Sequence, residues 1–147
     1  MLYFEDLVPG TSRRFGRYEV TREEVLEFAG KYDPQPFHLT DEGAAQTHFG
    51  RLAASGWHTC SMTMAMIVAD MAIAPRAEHG ALGIDEVRWP RPVHPGDVLA
   101  CEMELLEKRL SASRPGFGIL RSRVTTFNQN GDPVLHMKTL SASCGSA

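Results

Sequence analysis

The fold of this chain is decided by one long apolar stretch, Ser55-Gly-Trp-His-Thr-Cys-Ser-Met-Thr-Met-Ala-Met-Ile-Val-Ala-Asp-Met71. Its apolar residues recur at the spacing of an α-helix: Trp57, Cys60, Met64, Ile67, Val68 and Met71. The other positions hold only Ala, Ser, Thr and Met until Asp70, so the helix has no strongly solvated side. We expect it to be buried on nearly all sides. At about 1.5 Å per residue it is roughly 25 Å long, and an antiparallel sheet curled around it is the cover that we predict.

The start of this helix is where we expect the chemistry of the protein. Ser55 is a residue type that caps a first helical turn. Gly56 follows it and lets a ligand approach free backbone N–H groups. These groups lie at the positive end of the helix dipole, which favours negative charge on a bound group.

Length and composition indicate a single globular domain over residues 1–147. Hydrophobic residues make up 43% of the chain and charged residues 22%, which is typical of a folded protein. The formal net charge is −3 and no stripe of Lys or Arg occurs, so we do not expect a nucleic acid partner. No secretory signal or membrane span is predicted, and three unpaired cysteines favour a reducing compartment, so we expect a cytoplasmic protein with no membrane partner.

The rest of the chain places helices first and strands afterwards. Residues 13–20 are predicted to form an arginine-rich edge strand, followed by a helix with a capping box from Thr21 to Glu24. A short helix is predicted to begin at Asp41 and to be capped by it. After Pro75 the apolar period changes from about 3.6 to two, which predicts strands near residues 82–89, 99–105, 117–127 and 134–141. The layout is α+β.

The heptapeptide Tyr32-Asp-Pro-Gln-Pro-Phe-His38 is the strongest chemical signal in the sequence. Asp33 and His38 supply an acceptor and a group that titrates near neutral pH, the pair needed for acid/base catalysis on water. On a regular helix these side chains would point about 140° apart, but Pro34 and Pro36 prevent that helix. The resulting bend can aim both side chains into one pocket. From the residues alone, a proline-rich turn with a structural hydrogen bond is the alternative.

Metal binding is not expected from the histidines of this chain. The six histidines include no i, i+4 pair and no cysteine at zinc spacing. Trp57 and the methionines of the long helix either line an acyl tunnel or belong to the core.

Five segments in this order resemble the MaoC-like acyl dehydratase family, which includes (R)-specific enoyl-CoA hydratases. They are Asp33-x-x-Pro-x-His38, Ala44-Ala45, Ala54-Ser-Gly56 before a helix, Val87-Arg-Trp-Pro-Arg-Pro-Val-His-Pro-Gly-Asp97 and Phe127-Asn-Gln-Asn-Gly131. The resemblance implies a single hot-dog domain, in which an antiparallel sheet wraps around a long central helix. It also implies a homodimer or higher homo-oligomer, formed by joining two sheets edge to edge.

The resemblance further implies reversible hydration of a 2-enoyl thioester, such as an enoyl-CoA, to a 3-hydroxyacyl thioester. Asp33 and His38 would activate the water, and the Gly56 N–H would polarise the thioester carbonyl. Gln35, Ser55 and Trp57 are the predicted substrate contacts. No metal and no cofactor are expected, since coenzyme A enters as part of the substrate.

Two other functions fit the same sequence. A hot-dog thioesterase would use the carboxylate and water on the thioester carbonyl, and a non-catalytic protein would only bind the acyl thioester. Tyr32, Gln35 and Thr40 stand where the family commonly has Gly, Asn and Asp. The acyl chain length therefore does not follow from the resemblance.

Overall fold

A computed structural model describes residues 1–146 as one antiparallel sheet with three helices. The elements are β1 (Ser12–Glu19), α1 (Arg22–Tyr32), α2 (Asp41–Ala45), α3 (Gly56–Ile73), β2 (Glu78–Arg88), β3 (Val98–Leu110), β4 (Phe117–Phe127) and β5 (Pro133–Cys144). The strands lie in the order β1-β3-β4-β5-β2, so β1 and β2 form the two edges. The predicted α+β class and its hot-dog architecture are confirmed.

The inner face of the sheet packs on α3. In the middle of the sheet Val124 of β4 is paired with Met103 on one side and Met137 on the other. Val124, Met137 and Leu135 form one buried cluster with Ile67 of α3. A second buried cluster surrounds the first half of α3 and contains Val20, Val25, Leu52, Met62, Met66, Val93 and Leu99. The central helix is therefore held by side chains from every inner strand.

One side of α3 is uncovered, and the prediction that it is buried on nearly all sides is wrong for the single chain. Met62, Thr63, Met66 and Ile67 are buried, whereas Trp57, Met64, Val68 and Ile73 are 61%, 44%, 56% and 83% exposed. The spacing of apolar residues indicates that two faces of α3 are apolar. The five-stranded sheet of one chain covers only one of these faces. No helix in residues 1–146 has the length and apolar character to cross a membrane.

The last turn of α3 carries a buried charge. Asp70 is only 5% exposed, and its carboxylate accepts hydrogen bonds from Arg13 of β1 and from Arg76 at 3.4 Å. Two guanidinium groups compensate the cost of removing this carboxylate from water. The end of the central helix is thereby tied to the edge strand β1.

The short helix α2 is capped differently from the prediction. The hydroxyl of Thr40 accepts the Gly43 N–H at 2.9 Å, so Thr40 and not Asp41 is the N-cap. The Asp41 carboxylate instead accepts the Leu52 N–H at 3.0 Å and a hydrogen bond from Arg22. The prediction considered only local capping, whereas the Asp41 carboxylate binds a backbone N–H eleven residues away.

Gly16 lies where β1 packs closely on Met66 of the central helix. Its φ is +83°, and the β1–β3 register shifts between Phe15 and Tyr18, as at a β-bulge. A Cβ at this position would lie 2.8 Å from the sulfur of Met66. Glycine therefore satisfies both the left-handed backbone and the packing of α3.

Replacing Gly16 with Ala should lower the free energy of unfolding by about 2–4 kcal/mol, because backbone strain adds to overpacking against Met66. Gly10→Ala is the matched control: φ is +92° there, but no atom lies within 4 Å of the added Cβ. That variant should lose only about 1–2 kcal/mol. Urea denaturation of both variants measures the difference, and equal losses would contradict tight packing at Gly16.

Candidate functional site

A bend directly after α1 carries the two residues of the predicted catalytic pair. Helix α1 ends at Tyr32, and the Asp33 N–H closes its last turn on the Ala29 carbonyl at 2.9 Å. Gln35 is extended, and Pro36 opens a single 3-10 turn that ends at His38. The prolines therefore stop the helix as predicted, because neither can donate a backbone hydrogen bond.

The bend brings Asp33 and His38 together. Asp33 Oδ2 lies 3.4 Å from His38 Nε2, and the side chains are 17% and 5% exposed. His38 Nδ1 lies 2.7 Å from the carbonyl oxygen of Ala53. A carbonyl oxygen can only accept, so Nδ1 carries a hydrogen and Nε2 is the nitrogen that faces the carboxylate.

The carboxylate of Asp33 is held by two further side chains. Ser55 donates its hydroxyl hydrogen to Oδ2 at 2.7 Å, and the Gln35 amide donates to Oδ1 at 2.6 Å. Burial acts to raise the pKa of Asp33, but the bonds from Ser55 and Gln35, and the charge of His38 in its protonated form, outweigh it. The pKa of this carboxyl therefore lies below its ordinary value, and Asp33 is ionised at neutral pH.

The first turn of α3 begins beside this carboxylate. The Ser55 oxygen accepts the Trp57 N–H at 3.3 Å, so Ser55 caps the helix as predicted while its own hydrogen goes to Asp33. The Gly56 N–H donates to no group in the part of the chain that the structure describes. This amide is available to a ligand at the positive end of an 18-residue helix.

Trp89, which follows β2, packs directly on Gly56. Its indole N–H donates to the Gly56 carbonyl at 3.0 Å, and its ring meets that of Trp57 edge to face. A Cβ on Gly56 would lie 2.6 Å from the Trp89 ring. Only glycine fits here without moving the indole.

A cavity of about 350 Å³ joins these groups. Asp33, His38 and Gly56 line it together with Trp57 and apolar walls that include Phe49 and Trp89. Arg91, which is exposed, also lies in the lining. The predicted pair, the predicted amide and the predicted contact Trp57 thus face one space.

The structure places two of the predicted substrate contacts elsewhere. Ser55 is fully buried behind Asp33, and neither Ser55 nor Gln35 belongs to the cavity lining. Their hydrogen bonds go to Asp33, so in the structure they hold the carboxylate. Phe49 and Trp89 line the cavity and were not predicted. The motif Trp89-Pro-Arg-Pro92 could have indicated that Trp89 is a cavity residue, since it combines a large aromatic ring with a stiff backbone.

Metal ligands are not assembled at this site. Within residues 1–146, no three or more His, Cys, Asp or Glu side chains are placed so that they could hold one metal ion. The polar side chains that line the cavity beside the Gly56 amide are Asp33, His38, His48, Thr59 and Arg91.

Comparisons with known proteins identify the family of this chain. Residues 6–127 match the MaoC like domain. A MaoC-like dehydratase from Rhodospirillum rubrum is 36% identical and superposes with a TM-score of 0.89, covering 100% of this chain and 99% of that one. The R-hydratase PhaJ1 from Pseudomonas aeruginosa is 27% identical with a TM-score of 0.71, covering 99% of this chain and 87% of that one.

A curated relative extends the comparison to a named enzyme. The 3-hydroxybutyryl-CoA dehydratase of Methylorubrum extorquens is 31% identical over 109 residues, which are 73% of this chain and 66% of the dehydratase. The family match spans far more than half of the chain. The chain belongs to the MaoC-like dehydratase family.

Proposed function

We propose that this protein reversibly hydrates a 2-enoyl thioester to a 3-hydroxyacyl thioester. The observation that carries the proposal is the cavity in which Asp33 and His38 face each other beside the free Gly56 N–H. Hydration of an activated double bond needs a base for water and a donor for the thioester oxygen. The cavity supplies both, and relatives named as a dehydratase and an R-hydratase support the same reaction class.

The pair is suited to hold one water. In the tautomer that carries its hydrogen on Nδ1, toward the Ala53 carbonyl, His38 offers a lone pair at Nε2, and Asp33 Oδ2 offers another 3.4 Å away, so a water can donate one hydrogen to each. The water oxygen then adds to C3 and its proton stays on the pair. His38 and Asp33 return one proton to C2, so the product gains the elements of water. Dehydration is the reverse.

The Gly56 amide stabilises the charge that this addition creates. When water adds to C3, the electrons of the double bond move toward the thioester oxygen and form an enolate. An N–H at a helix N-terminus stabilises this oxyanion, and such a donor is worth on the order of 10²–10³ in rate. The apolar walls exclude water from the acyl group, and Arg91 offers positive charge to a phosphate-bearing carrier such as coenzyme A.

We further propose that two copies join through their β2 edges. Leu82 and Ile84 of β2 are 59% and 49% exposed, and Val68 and Ile73 of α3 are also exposed. The opposite edge, β1, carries Arg13, Arg14 and Arg17, which discourage strand pairing. Burying exposed apolar residues favours association, so β2 is the edge that fits a second copy.

Asp33→Asn and His38→Ala should each lower kcat for hydration by about 10²–10⁴, because each removes one partner of the activated water. The loss of the ultraviolet absorbance of crotonyl-CoA measures hydration, and a thiol assay on the same sample measures hydrolysis. Asp132→Asn lies outside both the cavity lining and the β2 edge and serves as the control. Full activity of either cavity variant would contradict the assigned roles.

The same assay separates the other two functions. Loss of absorbance without thiol release supports the hydratase. Thiol release without hydration would show a thioesterase. Binding without either reaction, across several acyl chain lengths, would show a non-catalytic acyl-thioester protein.

The acid limb of the rate profile should move to higher pH in Gln35→Leu and Ser55→Ala. Both variants remove a donor that keeps the pKa of Asp33 below the ordinary value of 3.8. In the wild type, the stability that ionised Asp33 contributes is present above that ordinary value and is lost as pH falls through the lowered pKa. Profiles of kcat/KM against pH test this, and an unmoved acid limb would contradict the role of the two donors.

Ile84→Glu should shift the protein from dimer toward monomer in sedimentation velocity, since it places a charge of the same sign on both of the paired β2 edges. Arg17→Glu on the β1 edge is the control and should leave the sedimentation coefficient unchanged. A monomeric wild type, or dissociation caused only by Arg17→Glu, would refute pairing through β2.

A further inference from the structure

The first turn of α3 makes a second, partly buried contact with α1 that the proposed reaction does not use. His58 is 3% exposed, and its Nε2 lies 2.9 Å from Glu24 Oε1 on α1. Its ring stacks on Phe28, also on α1, with centroids 4.7 Å apart and planes 7° apart. The position of the imidazole is thus fixed by both a polar and an aromatic contact.

The Glu24 carboxylate is itself anchored to the sheet. The Tyr18 hydroxyl of β1 donates to the same oxygen, Oε1. Burial and the neighbouring Glu24 raise the pKa of Tyr18 to about 12, so Tyr18 remains a donor at neutral pH. Burial opposes the charge on Glu24, but the bonds from Tyr18 and His58 lower its pKa, so the acceptor stays ionised. Because the Glu24 side chain binds Tyr18 and His58, only half of the predicted capping box forms. The Thr21 oxygen accepts the Glu24 N–H at 3.2 Å, but the Glu24 carboxylate does not bind back to Thr21.

These contacts tie the first turn of α3 to α1 in addition to the apolar packing between the two helices. Helix α1 leads directly into Asp33, and α3 begins with Gly56. The Asp33–Ser55 bond joins the end of α1 to the start of α3. The Glu24–His58 bond joins them at a second point. Gly56 lies between Ser55 and His58, so both bonds together orient its N–H.

His58 contributes more than packing at this position. Its Nδ1 is buried and has no hydrogen-bond partner among residues 1–146. Burying an unpaired nitrogen is unfavourable, and an apolar side chain of similar size would avoid that cost. What histidine adds over such a side chain is the bond from Nε2 to Glu24.

We infer that His58, Glu24 and Tyr18 are positioning residues that hold the Gly56 N–H against the thioester oxygen while Asp33 and His38 hold the water. The inference rests on the proposed hydratase activity. These residues do not line the catalytic cavity and act through the first turn of α3. They line instead a separate groove between α1 and α3, with Glu27 and Lys31.

The test compares Glu24→Ala and His58→Leu with His58→Gln, whose side-chain Nε2 can take the place of the imidazole Nε2. We expect kcat for hydration to fall about 10- to 100-fold in the first two variants with little change in KM, since misplacement by about 1 Å has effects of this size. His58→Gln should recover most of kcat. Tyr18→Phe should show a smaller loss in the same direction.

A spectroscopic signal separates positioning from loss of fold. Infrared spectroscopy of a bound, unreactive acyl-CoA reports how strongly its thioester carbonyl is polarised. The wild type should lower the carbonyl stretch, and Glu24→Ala and His58→Leu should show less of that shift at saturating ligand. Glu27→Ala, one turn further along α1 in the same groove, is the matched control and should behave as wild type.

Two results would overturn the inference. An active wild type whose Glu24→Ala and His58→Leu variants keep both kcat and the carbonyl shift would remove the positioning role alone. A wild type that neither hydrates enoyl thioesters nor shifts the carbonyl stretch would remove the proposed function and the inference together.

Discussion

One hydroxyl group joins the two halves of the site. Ser55 donates to Asp33 and accepts from the Trp57 N–H, so the same atom caps α3 and holds the carboxylate. The bend after α1 and the start of α3 are twenty-two residues apart in the chain, and this bond fixes them side by side. Trp89 restrains Gly56 through its carbonyl, and Glu24 restrains His58 from the far side of the turn. The geometry of the site therefore depends on the restrained N-terminus of α3.

The charges of the site follow from this constraint. Asp33 remains ionised because donors surround it, and a carboxylate with a lowered pKa is a weak base in isolation. Its partner His38 is oriented by Ala53, which directs the second nitrogen toward the same oxygen. In the proposed reaction a water between these two acceptors would be polarised by both, so neither group would have to be a strong base alone. The reaction class and the architecture are thus consistent with each other.

Sequence reasoning identified what local rules encode. The apolar stretch predicted α3 with its Ser55 cap, and Pro34 and Pro36 predicted the bend that brings Asp33 to His38. It did not identify which side of α3 the sheet covers, because periodicity measures apolarity and not the neighbour that buries it. The roles of Ser55, Gln35 and Trp89 depend on partners fixed only by the tertiary fold. The Glu24–His58 bond spans thirty-four residues, and no local pattern predicts it.

The two edges of the sheet differ in a way that limits assembly. A chain that pairs through β2 with the β2 of another copy uses the same surface twice, so the contact is closed by a two-fold axis. Both outer edges of such a pair are then β1 strands, whose arginines Arg13, Arg14 and Arg17 disfavour the addition of a further strand. The uneven distribution of arginine between the edges would thereby protect a sheet protein from growing into fibrils.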